Sequence, residues 1–196
     1  VLATRFIGGN RQRNGRRKCL LGRIATRRRA TGILATGERD NAARWKLVRD
    51  LDGDAAHQIS QRIVQFATRH GATILVFEHL GSLQPRKGRY SRAANRRRQY
   101  WLKGTIFRCT MDTAWRAGLL TCRVSPWKTS QRCAGCDHQV ARYHEGEPPE
   151  GYQMGAPLFT CPHCGKRGHA DRYAAHQIGR RLHQRYLAEG KAASMS

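Results

Sequence analysis

Residues 72–80 read ATILVFEHL. Ala72 to Phe77 are apolar or β-forming with no alternation, the pattern of a strand buried on both faces of an α/β sheet. Glu78 follows directly, which sets a carboxylate at the carboxyl end of that strand, where open α/β sheets place their chemistry. Upstream, residues 41–69 have helical periodicity. Ile59, Ile63, Phe66 and Ala67 form the core-facing stripe, and Gln58, Gln61, Arg62 and Gln65 face away. Gly53, between Asp52 and Asp54, divides this segment or bends it, and Gly71 stops it. Downstream, the helical spacing of Leu102, Ile106, Met111 and Trp115 runs to Gly118, and residues 119–124 form a second strand ended by Ser125 and Pro126. A last amphipathic helix over residues 171–187 carries Tyr173, Ala174, Ile178, Leu182 and Tyr186, and residues 190–196 read as a frayed tail.

Before the long helix, residues 1–7 have strand character that stops at Gly8 and Gly9. The opening at Val1, without methionine, reads like a piece cut from a longer chain. Residues 11–29 hold nine basic side chains and no acidic one. They form either a disordered linker or a helical arm, the arm favoured by the partial helical spacing of Leu20, Leu21, Ile24 and Ala25.

Across 196 residues, 37 Lys and Arg stand against 13 Asp and Glu, a formal charge of +24. Such an excess points to an extended polyanion, nucleic acid above an anionic membrane, because the charge recurs along the chain and is not gathered on one amphipathic helix. The candidate contacts are Arg11, Arg13, Arg16, Arg17, Lys18, Arg27, Arg28 and Arg29, and then Arg86, Lys87, Arg89, Arg92, Arg96, Arg97 and Arg98. Tyr100 and Trp101 beside the second group suit base stacking or, equally, core packing. No apolar run of about 18 residues is present, so no membrane span is expected.

Seven cysteines include two C-x-x-C pairs, Cys133 with Cys136 and Cys161 with Cys164, joined by 24 residues of Pro- and Gly-rich loop. Each pair supplies two thiolates from one tight knuckle, and together they suit one structural Zn²⁺; a redox dithiol is the lesser alternative. Four thiolates close the coordination shell, so this metal folds the segment and does not activate water. His138, His144 and His163 are then surface or nucleic-acid contacts and not ligands. Cys19, Cys109 and Cys122 are expected as buried or partly buried free thiols. A reducing, cytoplasmic setting follows from this cysteine usage. Lys128, Arg132, Lys166 and Arg167 add basic surface to the module.

Taken locally, Glu78 is a sheet-end acceptor or a metal ligand, and Asp171 is an N-cap or a metal ligand. The ordered motifs resemble the C-terminal RuvC-like region of the TnpB and type V CRISPR effector family. They comprise the helix of residues 56–67, the strand ending at Glu78, and Val124, Pro126, Thr129, Ser130, Cys133 and Cys136 in a V-x-P-x-x-T-S-x-x-C-x-x-C pattern. The second knuckle and Asp171, Ala174, Ala175 and Ile178 complete the series. The resemblance implies an α/β RNase H-like fold lacking its first strands: a RuvC-like part over 1–127, a zinc ribbon over 128–168, a final helix over 169–190 and a disordered tail over 191–196.

It further implies that Glu78 and Asp171 are catalytic carboxylates holding up to two Mg²⁺ for DNA cleavage, together with a first aspartate that residues 1–37 do not contain. Tyr173 and Gln177 stand where the family has asparagines, and His169 stands where many members have an acid. Guide RNA, target DNA and N-terminal recognition domains of the same protein are the implied partners, in a nucleoid-associated bacterial or archaeal setting. Two alternatives are a binding-only effector that recruits a transposition or silencing partner, and a non-guided zinc-ribbon RNA-binding protein.

Overall fold

The computed structural model describes residues 3–32, 40–81, 84, 88, 91, 92, 95 and 102–193, which fall into two compact units. Arg86, Lys87, Arg89, Arg96, Arg97, Arg98, Tyr100 and Trp101 lie outside the described residues. Among those described, no helix is long and apolar enough to cross a membrane.

One unit takes in residues 5–73 and 83–120 and is helical: α1 (Arg11–Thr31), α2 (Ala42–Arg69) and α3 (Lys103–Arg116). The basic stretch is therefore a helix, capped at Asn10, whose side chain accepts from the Arg13 N–H at 3.1 Å. Helix α2 runs unbroken through Gly53. A mid-helix glycine costs about 1 kcal/mol relative to alanine, and here the acids on either side are tied to α1. Asp52 accepts both Arg17 nitrogens, Nη2 at 2.9 Å, and Asp54 pairs with Arg13 at 2.7 Å.

The buried stripe of α2 is Ala56, Ser60, Val64 and Ala67, and the expected Ile59, Ile63 and Phe66 are only half-buried beside it. Small residues let α3 approach closely. Thr110 of α3 donates to Ser60 Oγ at 3.2 Å, and Ser60 donates to the Ala56 carbonyl at 2.7 Å, so the polar pair is satisfied within the interface. On α3 the buried side chains are Cys109, Thr110 and Ala114, while Met111 and Trp115, which carry the helical spacing, are exposed.

The other unit takes in residues 1–4, 74–82 and 121–196. Strands β1 (Ile74–Glu78) and β2 (Leu120–Val124) form a two-stranded sheet. Leu120 N–H donates to the Thr73 carbonyl at one end and His79 N–H to the Val124 carbonyl at the other, so the strands run parallel. Strand β1 is half-buried along its length and not buried on both faces, and among the described residues only β2 pairs with it. Residues 3–10 form no strand, because no ladder satisfies them.

A second, antiparallel sheet has the order β3 (Ala141–Tyr143), β4 (Leu158–Thr160), β5 (Arg167–His169), and α4 (Ala170–Ala193) leaves β5 without a linker. Helix α4 extends past residue 190, beyond the expected boundary, and packs against both β1 and β5. Of the three cysteines outside the knuckles, Cys109 is buried and Cys122 half-buried as expected, but Cys19 is exposed, lining an open cleft between α1 and α2 with Leu47 and Leu51.

Candidate functional site

The two C-x-x-C segments fold into the same turn. In the first, Cys133 N–H donates to the His138 carbonyl at 2.8 Å and Asp137 N–H to the Cys133 carbonyl at 2.9 Å. In the second, Cys161 N–H donates to the Lys166 carbonyl at 2.8 Å and Gly165 N–H to the Cys161 carbonyl at 3.0 Å. The residue after each second cysteine is left-handed: Asp137 at φ 60° and Gly165 at φ 68°. Facing each other, the knuckles bring Cys133 and Cys164 sulfurs to 3.6 Å and those of Cys136 and Cys161 to 3.4 Å, with all four within 4.8 Å.

A tetrahedron of Zn–S bonds of about 2.3 Å sets its sulfurs about 3.8 Å apart, so the four thiols fit one zinc ion. Gly135 N–H points at the Cys133 sulfur at 3.4 Å. The Cys161 thiol is lowered to about 7: burial opposes ionisation but is outweighed by the backbone N–H groups of Cys164 and His163 and the Cys136 thiol. Cys136 is pushed up to about 12; the His138 backbone contact lowers it, but burial and the neighbouring thiols outweigh that. A divalent cation removes this conflict by favouring the thiolate form of all four sulfurs together. His138 and His163 stack with ring centroids 3.6 Å apart beside Cys136. One ring nitrogen of each and the Cys136 sulfur lie within 4.8 Å of one another, a second group of potential ligands that shares Cys136 with the four-cysteine cluster.

The core of this module is Cys133, Val140, Phe159 and Cys161, closed by Ala170 and Tyr173 of α4. Phe159 and Tyr173 rings lie 3.8 Å apart, and Ala170 N–H donates to the Pro157 carbonyl at 2.7 Å. Asp171 therefore sits between two residues packed into the cysteine module. It lies in the first turn of α4 and is exposed, and its N–H donates to His169 Nδ1 at 3.3 Å. A carboxylate there is favoured by the helix dipole.

Further along α4, Gln177 donates to Asp137 Oδ1 at 3.1 Å, Arg180 to the Ala134 carbonyl at 2.9 Å, and Arg181 to the Ser125 and Trp127 carbonyls. The helix is thus clipped to the first knuckle and to the turn after β2. That turn carries Thr129, a buried residue whose hydroxyl donates to Glu78 Oε1.

Tyr173, Gln177 and His169, the three departures from the family pattern, each hold a structural contact here. Asp137, Gln177, Arg180 and Arg181 were not expected as site residues. Their partners lie 40 or more residues away in the chain, which local patterning does not record. Thr129 was visible only as a motif position.

Glu78 and Asp171 belong to elements that pack together. Among the described residues no third acidic, histidine or cysteine side chain joins them as a cluster able to hold an ion. Arg11, Arg16, Lys18, Arg28, Arg29, Arg92, Lys128, Lys166 and Arg167 are exposed. Arg13 and Arg17 are largely covered, at 14% and 18% side-chain exposure, by their ion pairs with α2, and Arg27 pairs with Asp40 at 2.9 Å. Arg132 pairs with Asp137 at 3.0 Å. With Lys128 and His138 it lines a cleft of about 410 Å³.

Residues 104–178 match the Cas12f1-like TNB domain family. A TnpB-like protein of Aquifex aeolicus strain VF5 is 32% identical over 135 residues, 67% of this chain and 42% of that protein. The chain belongs to the TnpB and type V CRISPR effector family. The CRISPR-associated endodeoxyribonuclease Cas12f1 of Sulfoacidibacillus thermotolerans is 27% identical over 62% of the chain and 25% of its own length. The chain thus spans less than half of the curated relatives it matches.

In fold, this family member is similar to AacC2c1 in its ternary complex with sgRNA and extended non-target DNA. The TM-score is 0.66 at 14% identity, covering 92% of this chain and 22% of that one. It is also similar to Cas12f1 in a complex with sgRNA and target DNA, with a TM-score of 0.56 at 20% identity, covering 86% and 40%. The α/β expectation agrees with these likenesses.

Proposed function

We propose that this chain is the RuvC-like and zinc-ribbon portion of an RNA-guided DNA endonuclease, in which Glu78 and Asp171 serve as two of the carboxylates of the cleavage centre. The observation that carries the reading is the packing of α4, which has Asp171 in its first turn, against the strand that ends in Glu78. Two-metal hydrolysis of a phosphodiester needs clustered anionic ligands. Magnesium would supply a polarised phosphate and an activated water only with at least one further carboxylate from the intact protein. The zinc ribbon's part is mechanical, because its closed thiolate shell offers no open position to substrate.

Exposed arginines along α1 and around the ribbon suit backbone contact with a guide–target heteroduplex. In this reading guide RNA and target DNA are the partners, and sequence recognition belongs to other domains of the same protein.

The test is cleavage by the full-length protein with guide RNA, target DNA and Mg²⁺. Glu78→Gln is expected to abolish cutting, by at least about 100-fold, while target binding persists; equal cutting by both proteins overturns the role given to Glu78. A wild-type protein that binds target and leaves it intact would instead establish the binding-only effector. Tyr173, Gln177 and His169 in place of the family's polar and acidic residues favour that second reading.

A further inference from the structure

We infer that Trp127 and Lys128 form a stacking site for one unpaired nucleic-acid base and its neighbouring phosphate, presented by the same turn that holds Glu78. The inference rests on the nucleic-acid-binding part of the reading above and is independent of cleavage.

Trp127 keeps 63% of its surface exposed. A large indole on a loose loop tends to fold onto the nearest apolar surface, but here the backbone is fixed from several sides. Trp127 N–H donates to Ser125 Oγ at 3.3 Å, and Gln131 N–H donates to the Lys128 carbonyl at 3.0 Å. Arg181 of α4 donates to the Ser125 carbonyl at 2.6 Å and also to the Trp127 carbonyl. Lys128 has φ 55°, a left-handed conformation that non-glycine residues adopt only when their surroundings hold them. Its ammonium lies over the indole, 4.6 Å from the ring centroid.

An aromatic face and a cation are thus held together on a rigid turn of a chain with formal charge +24. A nucleotide matches both halves, the base by its π-face and the phosphate by its charge. Bases inside a duplex are already stacked, so the occupant is a base of a single strand. Thr129, two residues on, donates to Glu78, so a base held here lies on the same turn that positions the carboxylate.

The experiment uses the full-length protein with a single-stranded oligothymidine and a duplex of equal length, titrated at several salt concentrations. Trp127→Ala is expected to weaken oligothymidine binding about tenfold with an unchanged salt slope, Trp127→Phe to recover most of it, and duplex binding to stay the same. Lys128→Ala should lower the salt slope by about one phosphate contact. Trp115→Phe, at another exposed tryptophan (76%), serves as the control and should change nothing.

Equal oligothymidine binding by wild type and Trp127→Ala overturns the inference, as does an equal loss on both nucleic acids. Protection of Trp127 from iodide quenching in the free full-length protein also overturns it, by showing that another segment covers the ring. If the wild type binds no nucleic acid at any salt, the functional reading falls as well. If it binds normally and ignores Trp127→Ala, only the stacking site is lost.

Discussion

The two cysteine knuckles share one backbone pattern, and the residue after each second cysteine sets their roles apart. Gly165 takes the left-handed conformation without cost, being free of a Cβ, and no side chain leaves the turn there. Asp137 takes the same conformation with a side chain, which receives Arg132 at 3.0 Å and Gln177 at 3.1 Å. The turn after the second knuckle's last cysteine therefore makes no side-chain contact of its own, whereas the one after the first fastens the cysteine module to α4. Backbone strain at Asp137, about 1–2 kcal/mol for a left-handed L-residue and less for Asp, is offset by contacts that set where the helix bearing Asp171 lies.

The comparison breaks most severely if the metal is removed. Replacing Cys133 and Cys161 together with Ser, or chelating the metal, should take zinc from one per chain to none and unfold the ribbon. The loss is of order 10 kcal/mol of metal-linked folding energy. Metal analysis and limited proteolysis of the full-length protein measure it, and one retained zinc per chain would refute the ligand assignment.

A smaller effect separates the knuckles. Asp137→Gly relieves the strained residue but leaves the Gln177 amide, 2% exposed and already carrying an unpaired Oε1, without its partner. The net cost should be about 2 kcal/mol in denaturant unfolding, with zinc content unchanged. A stabilised variant would mean that the fastening contributes nothing.

The smallest effect is at the matching site. Gly165→Ala adds a methyl that meets no atom within 4 Å, so only the backbone conformation is penalised, by about 1 kcal/mol. Its cost should fall below that of Asp137→Gly, and the reverse order would erase the distinction between the knuckles.

Much of this was legible from residue order alone. The four-cysteine cluster follows from C-x-x-C spacing, because a knuckle is a local structure and two knuckles that meet bring four thiols together. The strand ending at Glu78 and the helix opening at Asp171 follow from local apolar patterning in the same way. Other features were decided only when distant segments met.

The buried face of α2 moved from Ile59 and Ile63 to Ala56 and Ser60, because close approach of α3 favours small side chains over the most apolar ones. Arg13 and Arg17, indistinguishable in sequence from Arg11 and Arg16, became internal ion pairs because Asp54 and Asp52 happened to face them. Thr129 reached Glu78 across 51 residues and Gln177 reached Asp137 across 40. Spacing along the chain specifies which residues share a turn or a face. Which charge meets which, and which carboxylate oxygen is already occupied, depends on contacts between segments far apart in sequence, and those are fixed only when the whole unit packs.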